Sequence, residues 1–502
     1  MSYPRVDLGR RGELTTAVMD VFGGRVLGGQ AINRSAFAFA PTAYNAEGLI
    51  VSTTNPSAAR TVATAVREVL AGYDCSPDGP SWLADSSGRI VGAPLDVLAA
   101  GVRIVPASAV AAGTPDPWVV VEELRSRLGS ALSASVGLNH LMTSAEQVGG
   151  NPLAVGHGRV GLDGYGVAGT NGHGPVTLAV APPLPIRAGR RPRVVVLDTG
   201  IGDHPWFRAD PASTTITFAD GTTVGPDITL AEGKASSGGS DPAAVDPMLG
   251  TLPTRAGHGT FIAGLLRQAC PEADIVALTV MQANGVVPEH KLIRALQVLL
   301  RRQAESPGWA DAIVLSLGYY AETGEDRRYT SGLKDILLAL GRRGVAVFAA
   351  AGNDASRRPS YPAALAVDPE FAEGDVLPVV SVAALNADGT LAPFSNDGPW
   401  VTAEAVGANV VSATPTYTDG GARASVAVRG PRGTLRSSFD PDDYRGYSVW
   451  SGTSFAAPVL AGRYLTSLRR EGFPPGINDR RALLHVGRPS RQLPDPPPWR
   501  RT

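Results

Sequence analysis

Short, uninterrupted runs of apolar residues that alternate with helix-like stretches constrain the fold of this chain more than any other feature. The apolar runs span residues 194–197, 275–278, 312–315 and 345–349, and the helix-like stretches span residues 289–303 and 331–343. A strand that is apolar throughout is typical of a parallel sheet covered on both faces, because a half-exposed strand would alternate apolar and polar residues. Strands and helices that alternate in this way form βαβ units. The sequence therefore predicts an α/β fold, with a parallel sheet and helices on both faces.

Four chemically distinctive side chains stand at the ends of these elements. They are Asp198 after the first apolar run, His258 and Ser454 at the start of helix-like stretches, and Asn353 after the last run. Each has an ordinary interpretation when taken alone: an aspartate turn, a histidine in a surface turn, a serine that caps a helix. Together they are the parts that acyl transfer to water requires, namely a nucleophile, a base, a group that orients the base and an amide donor for the oxyanion. Such sites lie at the carboxyl edge of open α/β sheets.

Four motifs surround these side chains. They are Val196-Leu197-Asp198-Thr199-Gly200, Gly257-His258-Gly259-Thr260, Ala350-Ala351-Gly352-Asn353 and Gly452-Thr453-Ser454-Phe455-Ala456-Ala457-Pro458. In this order, the chain from about residue 193 to residue 470 resembles the subtilisin-like serine proteases, the subtilase family. The resemblance implies a serine endopeptidase with a catalytic triad of Asp198, His258 and Ser454, and with Asn353 as oxyanion donor. The alternative is a non-catalytic protein-interaction module on a protease scaffold.

The resemblance also implies where a polypeptide substrate binds. Two groups match the family's substrate-binding strand and the wall of its primary specificity pocket: Ser316, Leu317 and Gly318 for the strand, and Ala350, Ala351 and Gly352 for the wall. The strand would pair with an extended peptide, and the small apolar wall favours apolar side chains. Two positions depart from the family pattern, since Phe261 stands where a second histidine is common and Phe455 where a methionine is common. Neither takes part in proton transfer.

Residues 1–145 carry no catalytic motif but contain regular elements. Strand-like stretches span residues 49–53, 101–105 and 135–142, and helix-like stretches span residues 56–70 and 117–128. They predict a small α+β domain ahead of the peptidase domain. By analogy with the family, this domain would be a propeptide that contacts the catalytic cleft; an unrelated recognition domain is the alternative.

The rest of the chain divides by composition. Residues 146–191 predict a linker rich in glycine and proline, residues 192–485 a peptidase domain, and residues 486–502 a tail rich in proline and arginine. In the linker, the Gly-rich stretch 164–169 matches a dinucleotide-binding pattern, but without the strand and helix that such a site needs. His157 and His173 lack the spaced partners of a zinc site, so we interpret both as loop histidines.

Composition excludes several classes of function. The 45 basic and 46 acidic residues give a net charge of −1, which creates no field to attract nucleic acid or a membrane surface. No apolar run reaches the length of a membrane span, and the first residues do not resemble a secretory signal. Cys75 and Cys270 form no disulfide framework and fit a reducing compartment. We therefore expect a cytoplasmic enzyme without a cofactor and, because the segment 267–274 is too short for the calcium loop of many family members, without a metal.

Overall fold

The computed structural model describes residues 23–27, 42–79, 98–107, 113–144, 173–177, 189–208, 215–224, 252–253, 255–282, 284–322, 331–421 and 423–484. The Gly-rich stretch 164–169, His157 and the predicted tail 486–502 lie outside the described residues. Among the helices of the described part, none has both the length and the hydropathy that a membrane crossing requires.

The N-terminal region is an antiparallel sheet with two helices packed against it. Its elements are β1 (Gly24–Leu27), β2 (Thr42–Thr53), α1 (Pro56–Ala71), β3 (Cys75–Asp78), β4 (Leu98–Pro106), α2 (Pro117–Leu132) and β5 (Val136–Ser144). Helix α1 buries Val62, Val66 and Val69, because apolar side chains at helical spacing share one face. Helix α2 begins where the Asp116 carboxylate accepts a hydrogen bond from the amide of Trp118 at 2.9 Å, which satisfies an N–H that has no partner within the helix.

The remaining elements lie between residues 173 and 484, and we call this stretch the peptidase part, after the domain that the sequence predicts at residues 192–485. Its strands are β6 (Gly174–Pro175), β7 (Arg193–Asp198), β8 (Ile216–Thr217), β9 (Thr223–Val224), β10 (Asp274–Thr279), β11 (Val286–Pro288), β12 (Ala312–Leu315), β13 (Leu317–Gly318), β14 (Ala346–Ala350), β15 (Val379–Leu385), β16 (Ala403–Val406), β17 (Val410–Ala413), β18 (Ala427–Arg429), β19 (Leu435–Ser437) and β20 (Tyr447–Trp450). Its helices are α3 (Pro205–Arg208), α4 (His258–Ala269), α5 (Glu289–Glu305), α6 (Ser331–Arg342), α7 (Thr453–Arg470) and α8 (Ile477–Leu483).

Six of these strands form a parallel sheet in the order β10-β7-β12-β14-β15-β16. Alternate residues of β7 enter two different apolar clusters, Val195 and Leu197 in one and Val194 and Val196 in the other. Because both faces of β7 are buried, its residues 194–197 are all apolar, and this is the pattern that the sequence shows. The predicted α/β fold with a preceding α+β region is confirmed.

Strand β5 joins the N-terminal region to the peptidase part in a single seven-stranded sheet. Its first half pairs with β2, and its last residues lie between β11 and β13, antiparallel to both. The register places Ser144 opposite Leu317 and Thr143 opposite Gly318. The end of the N-terminal region therefore pairs with β13, the strand that the sequence predicted to pair with a substrate.

Three smaller sheets complete the described part of the chain. Strand β20, which leads into α7, pairs with β17 on one side and with β6 on the other. Strands β8 and β9 form one hairpin, and strands β18 and β19 form a second, exposed hairpin.

Candidate active site

An aspartate and a histidine meet at the carboxyl edge of the parallel sheet. Asp198 is the last residue of β7, and its Oδ1 lies 2.6 Å from Nδ1 of His258, the first residue of α4. The same Oδ1 accepts a hydrogen bond from the amide of Thr199 at 2.8 Å. Both side chains are buried. The carboxylate therefore holds the imidazole through Nδ1 and fixes the orientation of the ring.

Two glycines allow the histidine to stand at this edge. Gly257 has φ 79°, a left-handed conformation that side chains with a Cβ rarely adopt. Gly259 approaches the loop after β7 so closely that an added Cβ would lie 2.1 Å from the carbonyl oxygen of Gly200. The Gly-His-Gly sequence is therefore required by the turn and by the contact between the two loops.

The serine lies in the first turn of an 18-residue helix, α7. The hydroxyl of Ser454 donates a long hydrogen bond of 3.4 Å to the carbonyl oxygen of Ser316, and the Ser316 hydroxyl donates one of 2.8 Å to the carbonyl oxygen of Ser454. The ring of Phe455 packs against the imidazole of His258, with centroids 5.6 Å apart. The start of α7 therefore packs against the Asp198–His258 pair, and its dipole favours negative charge at that end.

Asn353 presents a buried amide donor to this centre. Its Oδ1 accepts a hydrogen bond from the amide of Thr453 at 2.9 Å, while the Thr453 hydroxyl accepts one from the amide of Gly352 at 3.0 Å. The Nδ2 of Asn353 is buried and has no hydrogen-bond partner among the described residues. A buried donor without an acceptor is unfavourable and rare in folded proteins. This amide is therefore available to an oxygen atom of a ligand.

The predicted substrate-binding residues lie at the same edge of the sheet. Leu317 and Gly318 form β13, and Ser316 connects it to the serine helix. The carbonyl oxygen of Ala351 accepts a hydrogen bond from Asn396 at 2.8 Å, and Ala350 ends strand β14. The structure thus brings together all ten residues that the sequence singled out for catalysis and binding, and their roles stay predictions.

The last residue of β5 contacts the segment that carries the histidine. The Nε of Arg255, three residues before His258, lies 2.5 Å from the hydroxyl of Ser144. The amide of Ser144 also donates a hydrogen bond to the carbonyl oxygen of Gly285 at 2.9 Å. The N-terminal region consequently ends beside the candidate catalytic residues.

A second buried histidine lies on β5, between charges of the peptidase part. Nδ1 of His140 lies 2.7 Å from Oε2 of Glu289, and Nε2 lies 2.9 Å from Oε2 of Glu322. Arg125 of α2 contacts the other oxygen of Glu322 at 3.2 Å. Burial opposes the charged form, but the two carboxylates raise the pKa of His140 to about 10. Burial likewise opposes the charged form of Glu322, but His140 and Arg125 lower the pKa of this carboxyl to about 2.

The structure adds to one interpretation of the sequence. His173 lies in a loop, as interpreted, but its ring is buried between two aromatic rings. The centroid of Trp450 lies 3.6 Å away with an interplanar angle of 4°, and that of Tyr444 lies 4.1 Å away with an angle of 18°. Burial, and to a lesser degree the charges of His258 and Arg255, hold the pKa of His173 well below its ordinary value. The flanking glycines gave no sign of these partners, which lie far along the chain.

The two departures from the family pattern contact each other. The rings of Phe261 and Phe455 have centroids 4.5 Å apart, and Trp450 packs against both. The three aromatic rings therefore form one apolar cluster, and Trp450 and Phe455 of this cluster pack against the imidazole of His258. The two residues that depart from the family pattern, Phe261 and Phe455, belong to the same packing arrangement. Sequence reasoning missed this cluster because Phe261 lies far along the chain from Trp450 and Phe455, and it missed Arg255 because that residue belongs to no motif.

Comparison with known proteins shows that this chain is similar to proteases of one family. The family model described as "Subtilase family" matches residues 189–469. A thermostable alkaline protease of Halalkalibacterium halodurans is 27% identical over 320 residues, which cover 60% of this chain and 64% of that protein. Subtilisin-like protease 5 of Arthroderma otae is 26% identical over 251 residues, which cover 49% of this chain and 51% of that protein. The chain thus spans between about half and 64% of the length of these relatives.

Solved structures are similar at lower sequence identity. A cold adapted subtilisin-like serine proteinase is 20% identical, with a TM-score of 0.37, and the match covers 58% of this chain and 79% of that one. A lanthipeptide protease is also 20% identical, with a TM-score of 0.39, and the match covers 58% of this chain and 78% of that one.

Proposed function

The chain belongs to the subtilase family, and on that premise we propose that it is a serine endopeptidase that hydrolyses peptide bonds in polypeptides. The observation that carries the proposal is the contact between Asp198 and His258 beside the first turn of the serine helix. A carboxylate at Nδ1 leaves Nε2 as the nitrogen that exchanges protons with a nucleophile and a leaving group. The buried amide of Asn353 supplies the donor that a developing oxyanion needs.

The proposed reaction follows from these positions. Nε2 of His258 takes the proton of the Ser454 hydroxyl as its oxygen attacks the scissile carbonyl carbon. The resulting oxyanion accepts hydrogen bonds from Nδ2 of Asn353 and from the amide of Ser454, while Asp198 stabilises the imidazolium. The imidazolium then gives its proton to the leaving amine, and the C–N bond breaks. Water, activated by the same histidine, hydrolyses the acyl-enzyme and restores the serine.

The proposed substrate is an extended polypeptide that pairs between β11 and β13. In the intact chain this position is filled by the last residues of β5. The N-terminal region therefore acts as a tethered blocker, and hydrolysis of other polypeptides requires its displacement or removal. A retained N-terminal region would instead favour the second function, a non-catalytic interaction module, because β5 is an integral strand of the seven-stranded sheet.

A serine-directed fluorophosphonate probe tests this proposal. We expect the probe to label the full-length chain, or its product after the N-terminal region is removed, and Ser454→Ala to abolish the labelling. Asn353→Ala should keep a labelled serine but slow peptide hydrolysis by roughly 10²–10³-fold. This magnitude is carried over from subtilisin, for which the family is named. The intact mass of each sample shows whether the chain is cut after residue 144 and whether that cut depends on Ser454.

Two outcomes would contradict the proposal. The first is that the probe fails to label the wild-type chain, both when it is intact and after an added protease has removed the N-terminal region. This result would favour a non-catalytic protein on a protease scaffold. Equal labelling of the wild-type and Ser454→Ala proteins would place the reactive group elsewhere.

A further inference from the structure

A cavity of about 290 Å³ lies at the amino edge of the parallel sheet, where β7 and β10 begin with Arg193 and Asp274. Because a strand rises about 3.3 Å per residue, the six residues of β7 separate this cavity from Asp198 by roughly 17 Å. The cavity therefore lies outside the candidate active site. We call it the arginine cavity, because its charged lining consists of four arginines and one aspartate: Arg191, Arg193, Arg267, Arg302 and Asp274.

Asp274 balances only part of the positive charge of the arginine cavity. Its Oδ1 lies 2.9 Å from Nε of Arg191, and its Oδ2 accepts a hydrogen bond from Nη2 of Arg193 at 3.1 Å. One carboxylate thus serves two guanidinium groups. Since four guanidinium groups and one carboxylate line the cavity, the lining carries an excess of three positive charges. Such a lining attracts anions, and it favours a multiply charged anion over a singly charged one.

Arg302, in the last turn of α5, has hydrogen-bonding capacity that the fold does not use. Its Nε is buried and has no hydrogen-bond partner among the described residues. Its ion pair with Glu305 is long, with 4.0 Å between Nη1 and Oε2. Both oxygens of Glu305 have closer partners, since Oε1 accepts a hydrogen bond from Nε of Arg301 at 3.1 Å and Oε2 accepts one from the amide of Ala219 at 3.1 Å. A buried donor without an acceptor is unfavourable, and an anion bound in the cavity would satisfy it.

The ring of Trp309 holds two of the guanidinium groups in place. The central carbon of Arg193 lies 5.1 Å from the centroid of this ring, and that of Arg302 lies 5.7 Å from it. The face of an aromatic ring attracts a cation, so both groups are ordered before any ligand arrives. The two cations also repel each other. An anion between them would relieve this repulsion and would bind with little further loss of side-chain entropy.

We propose that the arginine cavity binds a phosphate group, either as the free ion or as part of a small phosphate monoester. The planar fork of a guanidinium group matches two oxygens of a phosphate, which makes arginine a frequent phosphate ligand. A phosphate dianion would offset two of the three excess charges. The cavity is close in volume to the smallest ligand pockets, about 300 Å³, and therefore admits only a small ester. The proposal does not rest on the proposed function, because the cavity lies outside the candidate active site.

Isothermal titration calorimetry of the full-length protein, with inorganic phosphate and with phenyl phosphate at constant ionic strength, tests this proposal. We expect saturable binding at millimolar concentrations or below. Arg302→Gln should weaken the binding by roughly 10–100-fold, because a charge-assisted donor is lost. Tighter binding of phenyl phosphate would identify a monoester as the ligand, and tighter binding of inorganic phosphate would identify the free ion.

Arg294→Gln is the matched control for the loss of charge. Arg294 lies on the same helix, α5, but does not line the cavity. The variant loses the same charge as Arg302→Gln and should change the affinity for phosphate by less than about threefold, because salt screens charges that are not in contact with the anion. Absence of saturable binding to the wild-type protein, or equal losses in the two glutamine variants, would overturn the proposal.

Asp274→Asn should change the affinity in the opposite direction. This variant removes the carboxylate that competes with a phosphate for Arg191 and Arg193. We expect it to bind phosphate roughly three- to tenfold more tightly, since two guanidinium groups become available to the ligand. Damage to the fold would weaken the binding, so tighter binding is specific to the proposed site. Unchanged or weaker binding to a folded Asp274→Asn protein would contradict the proposal.

Discussion

Two buried histidines of this protein contact carboxylates at nearly the same distance, yet their surroundings differ. His258 contacts one carboxylate, that of Asp198, at 2.6 Å. His140 contacts two, those of Glu289 and Glu322, at 2.7 and 2.9 Å. A ring held by carboxylates at both nitrogens retains its proton as a structural cation, whereas a ring with a carboxylate at Nδ1 can exchange a proton at Nε2. The number of carboxylates, and not burial, distinguishes the structural histidine from the candidate catalytic one.

The location of His140 explains why it carries a charge. Two cations from the N-terminal region, His140 and Arg125, meet two anions from the peptidase part, Glu289 and Glu322. Buried ions are unfavourable unless each finds a partner, and here the four charges balance. A strand β5 shifted by one residue would move His140 out of this cluster. The cluster therefore specifies the register in which β5 enters the cleft.

Replacing each histidine by alanine gives the largest expected difference. We expect His258→Ala to lower kcat on the order of 10⁶-fold, a magnitude carried over from subtilisin, because the base is lost. His140→Ala should leave kcat unchanged once the N-terminal region has been removed, since His140 leaves with it. The measurement is the rate at which the protein hydrolyses an internally quenched peptide after an added protease has removed its N-terminal region. Comparable losses in the two variants would refute the distinction between the two rings.

Removing one anion of the His140 cluster should have the next largest effect. Among the described residues, Glu322→Gln leaves Glu289 as the one fully buried anion beside the buried charges of His140 and Arg125, and we expect it to lower the free energy of unfolding by about 3–5 kcal/mol. Glu122→Gln is the matched control, because Glu122 contacts the same Arg125 at 3.3 Å from a partly exposed position. That change should alter stability by less than about 1 kcal/mol. Urea titration of the full-length proteins measures both, and similar values would contradict the balance of charges described above.

The pH dependence of stability should show a smaller effect. The raised pKa of His140, about 10 against an ordinary 6.5, gives stability that is complete below pH 6.5 and is lost as the pH rises through 10. The lowered pKa of Glu322, about 2 against an ordinary 4.5, gives stability that is complete above pH 4.5 and is lost as the pH falls through 2. These two groups should therefore stabilise the interface most between pH 4.5 and 6.5.

Urea titrations between pH 6.5 and 8 measure the alkaline side of this profile. Each pH unit should lower the free energy of unfolding by at most about 1.4 kcal/mol. In Glu322→Gln the slope should be shallower, because one of the two carboxylates that raise the pKa of His140 is gone. Identical slopes in the two proteins would show that other groups dominate the titration.

Sequence reasoning succeeded where the information is local. An apolar strand buried on both faces, a helix with apolar residues on one side, and the motifs around Asp198, His258 and Ser454 each lie within a few neighbouring residues. It did not find the contacts that join distant segments. His140 and Glu322 are 182 residues apart, and Trp450 meets His173 from a different part of the chain. The choice of such partners depends on packing in three dimensions, which leaves no periodic pattern in the sequence.

Strand β5 has one more consequence, which concerns association between molecules. It covers the edges of β11 and β13, which are three and two residues long. When a neighbouring strand is removed, the N–H and C=O groups along an edge lose their partners and can pair with any extended chain. In a molecule without its N-terminal region, the edges of β11 and β13 are therefore free to pair with another extended chain. Another copy of the protein can compete with a substrate for this gap, so dilution should favour hydrolysis and crowding should favour self-association.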